Sequence, residues 1–456
     1  MTVSEIVSRQ RNYYQTNASK PYEFRKAELE KLYKAINEYE QKIKEALFKD
    51  LGKSSGEAYL TEIGVTLKEI KYLLKHLKKF MKNDKRKTEI TNFPAKSFIS
   101  PSPFGVVLIM SPWNYPIYLT LAPLAGAIAA GNTVVIKPSN YSSNTSDVIY
   151  DLIKSTYKEE YVTVVKGGRE ENQDLLNQKF DYIFFTGSTS VGKIVMEKAS
   201  KNLTPVSLEL GGKSPTIVAS DANIDLSAKR IIFGKLINVG QTCVAPDYIL
   251  ADKVIVENLI EKLIYYVKEF YGEKPLEHPS LGKIINEKHF GRLVGLIDKQ
   301  DVVFGGDIDK KNIKISPTIL RNVSSDSPVM QEEIFGPILP ILTYDSIEDA
   351  IRFVNSRPHP LALYLFTNSK VIIKQVLNNC SFGGGCINDT IMQVASDYLP
   401  FGGVGDSGMG KYHGKASFDT FSHYRSIIKK SNVFDLPIRY FPINEKKEKL
   451  IKQVLK

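Results

Sequence analysis

The chain has 456 residues, of which 43% are apolar and 24% are charged, and it carries a net charge of +11. This length allows a large buried core, and the composition excludes a disordered polymer. Its three cysteines exclude a disulfide scaffold, and the N-terminus predicts no secretory signal, so we expect a cytoplasmic protein.

The positive charge is concentrated at the two ends of the chain. Residues 1–100 carry 21 basic and 13 acidic side chains, and residues 429–456 carry eight and three. The two signs are interspersed at helical spacing, which is typical of solvated helix faces. Because no recognition helix, zinc finger or aromatic RNA-reading motif accompanies them, we expect no nucleic-acid partner.

The N-terminal part of the chain predicts helices followed by a doubly wound parallel sheet. Residues 22–82 place apolar side chains every three to four positions, which predicts helices. Strands then alternate with helices, and ligands of such sheets bind at the carboxyl ends of the strands. The predicted elements are strand Gly105–Met110, helix Ile117–Ala130, strand Thr133–Lys137, helix Ser143–Tyr157, strand Val162–Lys166, a short helix near Asp174, strand Tyr182–Thr186 and helix Val191–Lys201.

One stretch in this part resembles a membrane segment in its composition. No charged residue lies between Ser97 and Ile136. Five prolines divide this stretch into pieces shorter than the ~20 residues that a membrane-spanning helix needs. A buried strand, helix and strand of a covered sheet explain the apolar run better.

A second α/β portion is predicted from about Leu208 to Asn388. No internal repeat or low-complexity linker separates it from the first, so the two portions are expected to share interfaces. Its predicted strands are Pro215–Ala219, Ile249–Ala251, Pro337–Tyr344 and Ala362–Thr367.

A glycine-containing turn at residues 186–194 is a candidate anion site. It lies between a predicted strand and a predicted helix, where free N–H groups and the helix dipole favour negative charge. Gly187, Gly192 and Lys193 nearly match a nucleotide triphosphatase loop, but Ile194 stands where a magnesium-binding Ser or Thr is required. A dinucleotide pyrophosphate needs no such ligand. That interpretation and a plain strand–helix turn both stay open.

Cys243 is a candidate nucleophile. It lies between Gly240 and Pro246, which predicts an accessible loop, although a lone cysteine is more often a small buried apolar residue. Cys380 and Cys386 show nothing beyond that ordinary role. The six histidines form no recognised ligand spacing, so we predict no metal site.

Carboxylates, rather than a histidine, are the candidates for acid–base work beside such a thiol. Glu209 lies in an apolar stretch, where burial would raise its pKa toward the working range of a general base. A paired acid at the edge of the core explains the same residue equally well. Glu333 precedes a predicted strand and could be a surface acid.

Seven short segments stand in a recognisable order along nearly the whole chain. They are Ser111–Pro116, Lys137–Ser139, Phe185–Ser188, Leu208–Lys213, Gln241–Cys243, Glu332–Pro337 and Leu399–Gly410. Together they resemble the NAD(P)-dependent aldehyde dehydrogenase superfamily. The short N-terminus and residues 408–414 look most like its class 3 branch, which includes fatty- and aromatic-aldehyde dehydrogenases.

The resemblance implies an α/β fold with two Rossmann-like domains and a small β bridging element. The implied division is an NAD(P)-binding domain (1–82 and 104–207), a catalytic domain (208–388), a bridging and oligomerisation element (83–103 and 389–428) and a basic tail (429–456).

The resemblance also implies a mechanism. The Cys243 thiolate attacks the aldehyde, and the Asn114 amide with the Cys243 N–H donates to the resulting oxyanion. Hydride transfer leaves a thioester, and Glu209 deprotonates the water that hydrolyses it. The implied product is the carboxylic acid of an apolar aldehyde, whether aliphatic, aromatic or isoprenoid.

The implied cofactor is NAD or NADP. The residues that the resemblance places against it are Trp113, Lys137, Asn140, Gly187, Ser188, Glu333 and Phe335. Many relatives carry Glu where this chain has Asn140, and that carboxylate repels a 2′-phosphate. Its absence beside Lys137 predicts use of both cofactors.

The resemblance further implies a homodimer, formed through strands near Ile90–Ile99 and a segment around Ala416–Ile428. The tail Ile443–Lys456 is too short and too charged to span a membrane. Weak peripheral contact with the inner membrane surface is one interpretation, and a solvated helix packed on a subunit is the other.

Two other readings of the sequence remain. A CoA-acylating semialdehyde dehydrogenase would use the same thiol, but it has no need of Glu209 as a general base. The second interpretation assigns the chain to a different functional class, either a cysteine hydrolase or a nucleotide-binding interaction protein. Reduction of NAD by an apolar aldehyde separates these readings.

Overall fold

The computed structural model describes residues 2–297 and 300–455. Its α-helices are α1 (Val3–Gln15), α2 (Tyr22–Glu38), α3 (Glu40–Leu51), α4 (Ser55–Ala58), α5 (Gly64–Phe80), α6 (Tyr118–Ala130), α7 (Ser143–Thr156), α8 (Arg169–Leu176), α9 (Thr189–Ser200), α10 (Ile224–Leu236), α11 (Val256–Tyr271), α12 (Glu287–Ile297), α13 (Ile347–Asn355), α14 (Lys370–Asn379), α15 (Lys415–Thr420) and α16 (Glu445–Val454). Its strands are β1 (Asp84–Arg86), β2 (Ala95–Pro103), β3 (Val106–Met110), β4 (Thr133–Lys137), β5 (Val162–Val164), β6 (Tyr182–Thr186), β7 (Val206–Glu209), β8 (Pro215–Val218), β9 (Tyr248–Asp252), β10 (Asp301–Phe304), β11 (Ile308–Asp309), β12 (Lys314–Ile315), β13 (Thr318–Arg321), β14 (Ile338–Tyr344), β15 (Ala362–Phe366), β16 (Gly384–Ile387), β17 (Gly408–Met409) and β18 (Ser422–Lys430).

The first sheet has the strand order β17-β7-β6-β3-β4-β5, and every pairing except that of β17 with β7 is parallel. All residues of β3, β4 and β6 are buried, because helices cover both faces of the sheet. Helix α6 is also buried on every side and ends at Gly131, whose φ of 95° is a left-handed cap.

The register of the first sheet brings the ends of its strands to one edge. Met110 pairs with Lys137, and Thr186 pairs with Glu209. These four residues end β3, β4, β6 and β7, so the segments that follow these strands lie along the same edge. This is where a doubly wound sheet binds its ligands.

The second sheet has the order β10-β13-β14-β9-β8-β15-β16 and is parallel except at β10. A third sheet, β1-β2-β18, is antiparallel, and all nine residues of β18 pair with β2. The predicted fold class is therefore confirmed: two α/β sheets and a small β element. The division into domains at the boundaries given above stays a prediction.

Most of the predicted strands of the first sheet lie within one or two residues of their observed bounds. Helix α1 and the glycine-rich strand β16 were not predicted from the sequence. Within residues 2–297 and 300–455, no helix is both long enough and apolar enough to cross a membrane.

Asn132 connects the first sheet to the start of β18. Its side-chain amide donates to the carbonyls of Phe421 at 2.9 Å and Ala127 at 3.2 Å, and its side-chain oxygen accepts from the N–H of Gly105 at 3.0 Å. The residue is fully buried. The Ala127 carbonyl also accepts from the backbone N–H groups of Gly131 and Asn132. Loss of the Asn132 side chain would therefore mainly leave the Gly105 N–H and the Phe421 carbonyl without their partner, in a place that water does not reach.

We therefore expect Asn132→Ala to lower the free energy of unfolding by about 2–4 kcal/mol, since it leaves buried backbone groups without partners. Denaturant unfolding measures the change. The control is Asn202→Ala at an exposed position, where the expected change is about 0.5 kcal/mol or less. Equal effects of the two substitutions would contradict this role of Asn132.

Candidate active site

The loop that carries Cys243 has an unusual backbone. Asn238, Val239 and Gly240 have φ values of 52°, 55° and 73°, so three successive residues are left-handed. A Cβ on Gly240 would lie 2.2 Å from the carbonyl oxygen of Gly336, so only glycine fits there. This conformation turns the chain sharply after α10 and leaves Cys243 half-buried rather than packed in the core.

Gln241 fixes this loop to the second α/β portion. Its side-chain nitrogen donates to the carbonyl of Lys283 at 3.1 Å, and its side-chain oxygen accepts from the N–H of Ile285 at 3.0 Å. The residue is fully buried. The position of Cys243 is therefore set by bonds on both sides of the loop.

Asn114 follows β3 and reaches the cysteine loop from the first sheet. Its side-chain amide nitrogen donates to the carbonyl of Gln241 at 3.1 Å, and the residue is 3% exposed. The backbone oxygen of Asn114 accepts from Asn238 at 2.8 Å and from the Lys53 ammonium at 3.0 Å. Asn114 is thus hydrogen-bonded to Gln241, which lies two positions before Cys243 in the chain.

A buried group of charges supports this junction, and no sequence motif indicated it. Lys53 and Glu62 form an ion pair at 2.5 Å, and both side chains are at most 1% exposed. Glu62 also accepts from the N–H of Ile117 at 2.8 Å, just before α6. Glu57 accepts from the N–H of Asn238 at 2.6 Å. Glu57 lies on α4, Lys53 lies just before α4, and Glu62 lies just before α5. Only the tertiary fold brings them to the cysteine loop and to the start of α6.

Glu209 ends β7 and is buried to 2% exposure. Neither of its carboxylate oxygens has a hydrogen-bond partner within the described part of the chain, and burial raises its pKa well above the usual value. Burial also raises the pKa of Glu333 to about 8. Glu333 is half-buried, with its carboxylate against the backbone of Gly211, whereas its neighbour Glu332 is exposed.

Both carboxylates are close enough to act on the thiol. Burial, together with the charges of Glu333 and Glu209, raises the pKa of Cys243 to about 12. The thiol is therefore protonated at neutral pH and must lose its proton as it reacts.

Cys243 also lines an apolar cavity of about 250 Å³. Tyr115 and Tyr118 form part of its wall, and the Tyr115 hydroxyl is hydrogen-bonded to Thr242 at 2.5 Å. The complete lining is Leu60, Thr61, Val65, Tyr115, Tyr118, Leu119, Phe233, Ile237, Thr242, Cys243, Val244, Ile391, Met392, Val394, Ala395, Phe401 and Tyr412.

The N-terminus of α9 offers an anion site at the edge of the first sheet. Gly187 donates its N–H to the carbonyl of Glu209 at 3.0 Å, and the exposed Ser188 is the N-cap, whose hydroxyl accepts from Val191 at 3.4 Å. The first turn carries no acid. The Gly187 N–H is therefore engaged, and the N–H groups at the start of α9 are the donors that suit a phosphate group.

Lys137 lies at the same edge, at the end of β4. It is 3% exposed and donates to the carbonyls of Pro138 at 2.8 Å and Gly167 at 2.7 Å. Burial lowers its pKa to about 8. Asn140 follows three residues later, and its amide lies beside Gly168. A cation next to a helix N-terminus suits a ligand that carries phosphate and ribose.

Trp113 and Phe335 form an aromatic pair from the two α/β portions. Their ring centroids are 5.3 Å apart at 80°, and Phe335 has a left-handed φ of 52°. His289 on α12 adds a third ring, 5.3 Å from Trp113, which the sequence analysis did not single out. Across the described ranges, no group of three or more His, Cys, Asp or Glu side chains could hold a metal ion.

Comparison with known proteins gives a consistent picture. The sequence pattern described as "Aldehyde dehydrogenase family" matches residues 1–427. The chain is 51% identical to the 4,4'-diaponeurosporen-aldehyde dehydrogenase of Staphylococcus aureus, over 97% of each chain. It is 47% identical to a Rattus norvegicus aldehyde dehydrogenase named dimeric and NADP-preferring, over 94% of this chain and 95% of the other. A solved structure described as the substrate-bound state of Staphylococcus aureus AldH aligns over 100% of both chains with a TM-score of 0.98 and 50% identity.

The backbone of the cysteine loop gives a test of its geometry. We expect Gly240→Ala to destabilise the protein by about 3 kcal/mol or more, because the new Cβ adds a clash with Gly336 to the strain of a left-handed alanine.

The matched control is Gly306→Ala. Gly306 has a positive φ of 87°, but the nearest atom that a Cβ there would meet is Cγ1 of Val302 at 3.4 Å, an ordinary contact. It should cost only the ~1–2 kcal/mol of strain at positive φ. Thermal unfolding of both variants gives the difference. If the two substitutions cost the same, the close approach to Gly336 does not constrain the loop.

Proposed function

Because the chain belongs to the aldehyde dehydrogenase family and oxidises an aldehyde to the carboxylic acid with NAD or NADP, we propose that Cys243, Asn114 and Glu209 perform this reaction on an apolar aldehyde. One observation carries the proposal. The Cys243 thiol lines an apolar cavity, the Asn114 amide is bonded to the same loop, and the thiol interacts electrostatically with Glu209, whose carboxylate has no hydrogen-bond partner among the described residues.

Cys243 is the nucleophile in this proposal. Its sulfur bonds to the aldehyde carbon as the thiol proton passes to solvent water, and the electron pair of the C=O bond moves to the carbonyl oxygen, which gains negative charge. The Asn114 amide nitrogen has two N–H groups, and one of them is used on the Gln241 carbonyl. The other is available to the oxyanion. A donor of this kind contributes about 3 kcal/mol to transition-state stabilisation.

NAD or NADP supplies the hydride acceptor when it is bound. The residues fit such a group. The α9 N-terminus with Gly187 and Ser188 suits the pyrophosphate, and Lys137 suits the adenine-side ribose. Glu333 and Phe335 approach from the second α/β portion and Trp113 from the first, and these three residues suit the nicotinamide side of the cofactor.

Glu209 serves as the general base for thioester hydrolysis. A carboxylate without hydrogen-bond partners in an apolar place has a raised pKa and is a stronger base than an exposed one. It takes a proton from water, the water oxygen bonds to the thioester carbon, and the Cys243 sulfur leaves. A CoA-acylating enzyme would not need this base.

Asn140 supports the use of NADP as well as NAD. At this position an amide replaces the carboxylate that many relatives carry, so one source of repulsion toward a 2′-phosphate is absent beside Lys137. One relative is named NADP-preferring, which agrees with a family tolerance of that cofactor.

The cavity supports an extended or bulky apolar substrate. Its lining is aliphatic and aromatic apart from a few hydroxyl groups. One relative is named for a diaponeurosporen aldehyde. We infer a medium- or long-chain aliphatic, aromatic or isoprenoid aldehyde.

A homodimer is the proposed assembly. Two relatives are named dimeric. Strand β18 is an edge strand of the third sheet and exposes apolar side chains at Ile427 and Ile428, which suits pairing with another subunit. Cytoplasmic location and a weak membrane contact of the tail stay predictions. In the tail, Leu450 and Val454 on α16 are about half exposed.

The mechanism predicts distinct failures for two variants. Cys243→Ala should abolish aldehyde oxidation. Glu209→Gln should still release one equivalent of reduced cofactor per site and then slow by about 10²-fold or more, because the thioester accumulates. Rapid-mixing absorbance and mass spectrometry of the acylated protein measure this.

The pH dependence of the steady-state rate tests the same general base. Since the pKa of Glu209 is raised, its base form is lost as pH falls, and the steady rate should rise with pH in the native protein but not in Glu209→Gln. Glu332→Gln, an exposed neighbour of Glu333, is the control. Steady turnover of Glu209→Gln at the native rate would exclude this base, and formation of acyl-CoA would favour the CoA-acylating alternative.

The substrate class predicts a dependence on chain length. For straight-chain aldehydes kcat/KM should rise about fourfold per added methylene until the cavity is filled, because each buried CH₂ contributes about 0.8 kcal/mol. Val65→Thr keeps the shape of one wall residue and adds a hydroxyl, so it should reduce kcat/KM for decanal but not for acetaldehyde. A flat series would contradict an apolar substrate.

A further inference from the structure

The loop Gly167–Gly168, which connects β5 to α8, lies between an ammonium group and a carboxylate. The Lys137 ammonium donates to the carbonyl of Gly167 at 2.7 Å. The N–H of Gly168 donates to a carboxylate oxygen of Glu171 at 2.6 Å. A Cβ on Gly167 would lie 2.2 Å from the carboxyl carbon of Glu171. The two opposite charges therefore both lie against Gly167.

Asn140 reaches the same loop. A Cβ on Gly168 would lie 3.3 Å from the side-chain nitrogen of Asn140. Lys137, Asn140 and Glu171 are thus brought together from the end of β4 and the first turn of α8. Sequence motifs indicated the first two of these residues and gave no sign of the third.

Glu171 is the charged carboxylate of this group, and it is bonded to the loop backbone. Backbone N–H groups at the start of α8 lower its pKa, so the side chain is ionised at neutral pH. Its charge acts on Lys137, since it opposes the lowering of the lysine pKa by burial. Any ligand phosphate held by Lys137 therefore meets a neighbouring carboxylate.

We propose that Glu171 is a specificity-determining residue that disfavours a 2′-phosphate on the adenosine part of the cofactor. The proposal rests on the proposed cofactor roles of Lys137 and Asn140. In relatives with Glu at position 140, the repelling carboxylate follows β4. Here that carboxylate is replaced by an amide, and Glu171 supplies a second one from α8. The presence of Asn140 in place of Glu therefore removes only part of the repulsion toward a 2′-phosphate.

Glu171→Gln tests this inference with little risk to the fold, because a glutamine oxygen can still accept from the N–H of Gly168. Isothermal titration calorimetry with AMP and with adenosine 2′,5′-bisphosphate gives the effect of the 2′-phosphate alone. We expect the bisphosphate to gain about three- to tenfold in affinity relative to AMP in the variant. The gain should shrink at high salt, and the KM for NADP should fall by a similar factor.

Glu170→Gln is the matched control. Glu170 is exposed, carries the same charge and lies one residue earlier in the same helical turn. It should change the affinity ratio less than twofold. An unchanged ratio in Glu171→Gln, or the same shift in Glu170→Gln, would overturn the proposal.

The outcomes also separate this inference from the proposed function. If the native protein rejects NADP by orders of magnitude, the role of Asn140 is wrong, but the bisphosphate ratio still measures the effect of Glu171. If AMP does not bind the native protein at all, the adenosine site beside Lys137 is wrong and this inference fails with it. If the native protein oxidises aldehydes with NAD but Glu171→Gln leaves the affinity ratio of the bisphosphate to AMP unchanged, only the proposed role of Glu171 is wrong.

Discussion

The backbone oxygens of Asn114 and Gln241 hold the two halves of the site together. Asn238 donates to both of them, at 2.8 and 3.0 Å, and the Asn114 amide donates back to Gln241. One partner follows a strand of the first sheet, and the others precede a strand of the second. Since these groups are buried, each would lose its hydrogen-bond partner if the sheets separated. The relative position of amide and thiol is therefore coupled to the packing of the whole protein.

Strands with two covered faces were predictable from local sequence. Strands β4 and β6 have the predicted bounds, because apolar and β-branched runs have no other stable place. Strand β16 was missed for the opposite reason. Its glycines resemble a turn, yet a Cβ on Gly385 would lie 2.0 Å from the Leu363 carbonyl. Glycine there permits close strand contact, which local sequence does not reveal.

The residues of the candidate site also divide into those that local sequence predicted and those that it did not. Cys243, Asn114 and Glu209 were found because they lie in short motifs, and their roles stay proposals. Lys53 and Glu57 were not found, because a buried ion pair or a single accepted hydrogen bond depends on tertiary contacts far along the chain. A lysine in a charged helical region predicts a solvated side chain. Only its pairing with Glu62 explains how the charge is accommodated in the core.

The chain contains a single tryptophan, and it is the Trp113 that packs against Phe335 and His289. Excited beyond the absorption of the tyrosines, the emission of the native protein therefore comes from one place, where the two α/β portions meet. Any event that alters this aromatic cluster changes the whole optical signal without background from elsewhere. The fold thus contains an intrinsic reporter at its cleft, and no label needs to be introduced.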